Sequence, residues 1–195
     1  RSEFYARADL GTLSVLPWMP GVARVVGDGT VDRAPFDGCP RRILSRATTR
    51  LAERGWRLEA GIEPEFFLLR RDADGRWRPF DDADRLDKPS YDLRSLPRRA
   101  GFLFALRRAL EAAGLTVLQT DHEDAHGQYE LNFLHDEVRS SCDHVMLFKL
   151  AAHHFAEAEG AVFSMMPKPF ADQPGSGMHF HVSLWQGGDG TRGSG

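Results

Sequence analysis

The chain has 195 residues, 42% of them apolar and 27% charged, which excludes disordered and fibrous classes and fits one large or two small globular domains. With 28 acidic against 25 basic residues the net charge is −3, so neither nucleic acid nor an anionic membrane is expected as a partner. Cys39 and Cys142 lie far apart and form neither a disulfide framework nor a metal cluster, no apolar run approaches the ~20 residues of a membrane span, and no signal-peptide core opens the chain, so a cytoplasmic location is expected.

Ahead of Pro40, Pro17, Pro20, Pro35 and several glycines predict short strands and turns of a separate small unit. Ile43, Leu44, Ala47 and Leu51 then recur at helical spacing as far as Gly55, predicting a first helix. Leu58–Arg70 reads as a strand, and a second helix is expected from Arg98 through Leu103, Leu106 and Leu110 to Gly114. Leu115–Gln119 and Gln128–Leu134 follow as strands, a third helix from Cys142 through Val145, Met146, Lys149, Ala152 and Phe155 to Gly160, and a last strand over Met178–Trp185. Helices and strands alternate, so a mixed α and β fold is expected. The absence of an initial Met and the five glycines within Gly187–Gly195 suggest a piece of a longer protein.

Three of the strands carry chemistry. In Gly61–Leu69, alternation sets Glu63 and Glu65 on one face and Ile62, Phe66 and Leu68 on the other. Adjacent buried carboxylates repel unless a proton or a cation neutralises them, the plain alternative being a solvated face that happens to carry two acids. Further along, Gln128, Glu130 and Asn132 face one way and Tyr129, Leu131 and Phe133 the other. Glu123 lies seven residues before Glu130, so the Asp124–Gly127 stretch must bend if the two acids are to converge; a charged loop without a joint role is the alternative. After the Gly175-Ser176-Gly177 turn, Met178, Phe180, Val182 and Leu184 occupy one face and His179, His181 and Ser183 the other, where either histidine alone would more often be structural.

Glu63, Glu65, Glu123, Glu130 and His179 together offer carboxylates and one imidazole without thiolate, a set suited to Mg²⁺ or Mn²⁺ rather than structural zinc. Five ligands suffice for two ions, an arrangement that serves phosphoryl transfer by neutralising the transferring oxygens. A Gly-x-x-x-x-Gly-Lys loop is absent, so a nucleotide would be held by metals and scattered side chains. His179-Phe180-His181 also admits a cupin-type oxygenase, although that reading expects a Glu soon after the second His, where Val182-Ser183-Leu184-Trp185-Gln186 stands.

Ile62-Glu63-Pro64-Glu65-Phe66-Phe67-Leu68, Asp121 through Glu130, and Met166-Pro167-Lys168-Pro169 with Gly175 through Trp185 together resemble the glutamine synthetase family. The second motif is most similar to the branch of type III enzymes and glutamate–methylamine and glutamate–polyamine ligases. Asp9-Leu10-Gly11-Thr12, Leu16-Pro17-Trp18 and Pro40-Arg41-Arg42-Ile43-Leu44 extend the likeness over nearly the whole chain. It implies an α+β fold: residues 1–38 as the C-terminal part of a β-grasp domain, and residues 39–195 as the first half of the catalytic domain. It further implies that Glu65, Glu123 and Glu130 hold one divalent ion and Glu63 and His179 the second. His181 and Ser183 would then lie against ATP, and Gly175 in the glutamate site. The implied reaction is ATP-dependent ligation of ammonia or another amine to the γ-carboxylate of glutamate, in a large homo-oligomer, a dodecamer by family precedent, with this piece inactive alone. A family member that has lost catalysis and serves in binding or regulation is a further alternative. Gln173-Pro174 stands where glutamine synthetases proper commonly have Asp-Asn.

Overall fold

The computed structural model describes residues 3–186. Strand β1 (Phe4–Val15) pairs antiparallel with β2 (Ala23–Val31), and β2 with β3 (Ala34–Pro35). These first strands are longer than the prolines suggest, because Pro17 and Pro20 fall in the turn, where no ladder N–H is needed. Between Asp9 and Ser14 the register slips, and Thr12 fills the gap: its hydroxyl accepts from Val26 N at 2.8 Å and donates to Asp9 O at 2.7 Å. Helix α1 (Pro40–Ala52) starts on a proline, whose missing N–H costs nothing in a first turn. Its Arg41, 11% exposed, reaches Asp9 at 2.8 Å and Asp28 and Asp143 at 3.0 Å each.

Next come β4 (Trp56–Arg71), β5 (Trp77–Pro79), a 3₁₀ turn at Leu96–Arg99, α2 (Ala100–Ala112), β6 (Val117–His122) and β7 (Gln128–Phe133). Then β8 (Asp136–Glu137), α3 (Val138–Ala158), β9 (Val162–Ser164) and β10 (Met178–Gln186) close the order. The second sheet runs β10-β4-β7-β6, with β5, β8 and β9 also pairing on β4. The predicted helices are present, and all three run into a glycine at positive φ, Gly55, Gly114 and Gly160. Helix α3 begins earlier than Cys142 because the Glu137 carboxylate accepts from the free N–H groups of Arg139 and Ser140 at 2.9 and 3.3 Å.

Two compact units divide the described residues, one holding 3–60, His135–Asp143 and 181–186, the other Gly61–Leu134 and His144–Phe180. In the first, Arg41 is the polar centre, and α1 has no buried residue. In the second, the face of β4 bearing Phe66 closes on the helices: the Phe66 ring meets Phe102, Tyr129, Phe148 and Phe163 at centroid distances of 5.3–6.1 Å. Ala151, Ala152 and Ala156, fully buried on α3, add little bulk between that helix and its neighbours. On the other face Phe67 and Leu69 are covered with Ala125 by Phe170. The expected alternation of β10 is present, but all its residues are exposed, the apolar Met178, Phe180, Val182 and Leu184 included. Among the described residues no helix is long and apolar enough to cross a membrane.

Candidate functional site

The polar face of the second unit is assembled by register. Glu65 on β4 stands opposite Glu130 on β7, which in turn stands opposite Asp121 on β6, forming a row of three carboxylates across three strands. Residues directly opposite on one face have Cβ atoms about 5 Å apart, close enough for like charges to repel. Glu123 joins this face because Asp124–Gly127 reverses the chain outright: Glu123 N donates to Gln128 O at 2.9 Å, closing a β6–β7 hairpin. The bend expected from the odd spacing of Glu123 and Glu130 is thus a full turn, which puts the two acids on neighbouring strands.

Gly127 makes that turn possible. Its φ is +70°, and a Cβ there would sit 3.0 Å from Leu68 O and 3.1 Å from Pro79 Cβ. Beneath it Asp84, 3% exposed, accepts from Gly127 N at 2.6 Å and from His122 Nε2 at 2.7 Å. His122 Nδ1 donates to Glu123 O at 2.8 Å, so both ring nitrogens act as donors and the ring is an imidazolium. Burial alone would lower the His122 pKa, yet the Asp84 carboxylate and the Glu123 carbonyl raise it overall. Burial pushes Asp84 the other way, and His122 and the Gly127 N–H override it, holding the carboxyl below its usual range.

The carboxylates above show the opposite trend. Burial, then the charges of Glu130 and Glu65, push Glu123 up to about 7, and Glu130 is raised by burial and by Glu63 and Glu65 despite a hydrogen bond from Asn132. Glu63, Glu130 and His179 each offer a ligand atom within 4.8 Å of the other two, and His179 Nδ1 lies 3.7 Å from Glu63 Oε2. That spacing and donor set fit one hard divalent cation. Asn132 Oδ1, buried on the same strand, finds no hydrogen-bond donor among the described residues. Glu65 is turned to Gln128, whose Nε2 donates to Glu65 Oε2 at 2.8 Å. A Cβ on Gly177 would stand 3.1 Å from Glu65 Oε1 and 3.8 Å from His179 Nε2, so the glycine keeps the space beside both side chains open.

Of the other residues singled out from sequence, Gly175 packs its backbone on Pro167, whose carbonyl oxygen a Cβ would meet at 2.5 Å, and its own carbonyl accepts from Gln128 at 3.1 Å. His181 and Ser183 follow at alternate positions on β10, exposed, with the Ser183 hydroxyl accepting from Trp185 Nε1 at 2.9 Å. They belong to the first unit. Sequence reasoning missed Asp84, in a stretch without periodicity, and Tyr91. Tyr91 is 71% exposed at φ +61°, its N–H donates to His122 O at 3.1 Å, and the nearby charges of Glu123 and Asp121 raise its phenol pKa. A bulky residue at positive φ leaves no signature in a single sequence.

The family model "Glutamine synthetase, catalytic domain" matches residues 37–191. The chain belongs to the glutamine synthetase family. This bears out the resemblance drawn from the three motifs, and the α+β class with it. The chain is 41% identical over 191 residues to the glutamate–methylamine ligase of Methyloversatilis universalis, spanning 98% of this chain and 42% of that one. With the glutamine synthetase of Rhizobium leguminosarum bv. phaseoli it shares 36% over 183 residues, spanning 94% and 41%. The solved structure "GmaS/ADP complex-Conformation 1" superposes with a TM-score of 0.88 at 34% identity, over 94% of this chain and 42% of that one. The chain therefore spans about two-fifths of the length of these members of the glutamine synthetase family.

Proposed function

We propose that the protein carrying this sequence is a ligase that joins an amine to the γ-carboxylate of glutamate with ATP. The observation that carries the reading is the acidic sheet face, where Glu63, Glu130 and His179 converge and Glu65 and Glu123 adjoin Glu130. In that reading Glu65, Glu123 and Glu130 would hold one Mg²⁺ or Mn²⁺ and Glu63 and His179 a second. The ions would supply charge neutralisation around the transferring phosphoryl group. The chain's own residues fix the carboxylates on three hydrogen-bonded strands, so that little reorganisation accompanies reaction. A γ-carboxylate oxygen of glutamate attacks the terminal phosphorus of ATP and ADP leaves; the amine then attacks the acyl carbon of γ-glutamyl phosphate and inorganic phosphate leaves. His181 and Ser183 are assigned to ATP and Gly175 to glutamate.

A small alkylamine as acceptor is supported by the relative named glutamate–methylamine ligase, and ammonia by the relatives named glutamine synthetase. Residues 1–38 are assigned to a β-grasp domain and 39–195 to the catalytic domain, in keeping with a family model that begins at residue 37. A cytoplasmic homo-oligomer, a dodecamer, completes the proposal. The test is phosphate release by the full-length protein with ATP, Mg²⁺ and glutamate across ammonia, methylamine, ethanolamine and polyamines. Release with at least one amine is expected; no amine-dependent release, or equal release without glutamate, overturns the proposal.

A further inference from the structure

Gln128 is 1% exposed on the polar face of β7, and both ends of its amide are committed. Its Oε1 accepts from Ala125 N, inside the hairpin turn, at 2.9 Å. Its Nε2 faces three acceptors: Glu65 Oε2 at 2.8 Å, Gly175 O at 3.1 Å and Ser176 Oγ at 3.1 Å. The amide has no freedom to flip. Turning it over would set its oxygen against a carboxylate, a carbonyl and a hydroxyl, and its NH₂ against a backbone donor.

Three segments distant in sequence meet on this one side chain. The β6–β7 turn anchors it, Glu65 on β4 receives its shortest hydrogen bond, and the Gly175–Ser176 turn receives the others. That last turn is held from behind, since Ser176 N donates to Pro167 O at 2.6 Å and Gly175 leaves no room for a side chain there. The bond to Oε2 fixes the rotation of the Glu65 carboxylate, with Oε1 beside the open space at Gly177.

We infer that Gln128 is a positioning residue that orients the Glu65 carboxylate for metal and ties it to the Gly175–Ser176 turn, so that metal affinity and glutamate binding are set through one side chain. The inference rests on the metal and glutamate assignments proposed above. Groups that orient metal ligands typically govern affinity by about 10- to 100-fold. Gln128→Met keeps the volume and removes both ends of the amide, while Gln128→Asn keeps the amide but is one methylene too short to span from Ala125 to Glu65.

The experiment measures Mn²⁺ affinity of the full-length protein by calorimetry without nucleotide, together with melting temperature in EDTA and the KM for glutamate. Each variant is expected to bind Mn²⁺ about tenfold or more weakly and to show a raised glutamate KM. Leu131→Val, which loosens the apolar side of the same strand, is expected to lower the melting temperature with Mn²⁺ affinity unchanged. A folded Gln128 variant that binds Mn²⁺ within twofold of wild type overturns the inference. So does loss of the fold in both variants, which would make Gln128 a purely structural residue. Wild-type protein without saturable Mn²⁺ binding instead overturns the metal assignment beneath it.

Discussion

Replacing Glu130 by glutamine should move stability and metal binding in opposite directions. In the metal-free protein Glu123 is held at about 7 against an ordinary 4.5, with burial the largest cause and Glu130 the next. Between those two values the unfolded chain has lost the Glu123 proton while the native state keeps it, so metal-free stability falls as pH rises through that interval. A displacement of this size corresponds to about 3 kcal/mol for a fully shielded group. Burial takes the larger share, three other acids contribute, and Glu123 is only partly shielded, which leaves about 0.5–1 kcal/mol for the Glu130 charge. Glu130→Gln is nearly isosteric and should therefore stabilise the protein in EDTA at pH 7.5 by that amount, with a smaller gain at pH 5, where Glu123 is mostly protonated in both. In Mn²⁺ the order reverses: wild type gains about 2.7 kcal/mol at a hundredfold excess over Kd, and the variant gains little. Urea unfolding with and without Mn²⁺ reads all four states. A variant no more stable than wild type in EDTA, and still stabilised by Mn²⁺, would refute both the charge clash and the ligand role.

Two further changes probe the supports of the site and of the first unit. Asp84→Ala strips the buried His122 imidazolium and the Gly127 N–H of their shared acceptor, and should cost about 3–5 kcal/mol in urea unfolding, against less than 1 kcal/mol if the pair is unimportant. Arg41→Met leaves Asp28 and Asp143 without the cation they share and Asp9 with Arg139 alone, at 3.1 Å; with Asp28 partly open to solvent, a loss of about 1–3 kcal/mol is expected, reduced in high salt where the under-paired acids are screened, and a loss insensitive to salt would contradict the electrostatic account.

Much of this was legible in the residue order, wherever one periodicity ruled a whole segment. Tyr129, Leu131 and Phe133 went inside and Glu130 outside because period two has only two faces. The helix ends were legible for a similar reason, since Gly55, Gly114 and Gly160 stop a helix locally. What stayed hidden depended on partners remote in sequence. The alternation of Gln128–Phe133 said that Gln128 shares a face with Glu130, but not that its amide would reach Glu65, 63 residues earlier. Asp84 gave no sign at all, because its role comes from lying under a hairpin formed some forty residues later. The length of β1 and β2 was underestimated because prolines mark a turn without showing how far the flanking strands extend.

Strand β4 has a consequence for the order in which the chain can fold. It pairs with β5, β7, β8, β9 and β10, and the partner of its Leu69 on β9, Val162, lies 93 residues further along the chain. At a synthesis rate of about 5–20 residues per second, the β4 edge that takes β9 waits roughly 5–20 seconds on the ribosome before that partner emerges, with the run Phe67-Leu68-Leu69 open on that side meanwhile. Such a run is a nucleus for association between nascent chains, and Glu63 and Glu65 on one flank and Arg70 and Arg71 on the other supply the charge that discourages it. The carboxylates assigned to metal in the finished protein thus have an earlier task, as guards of an unfinished sheet.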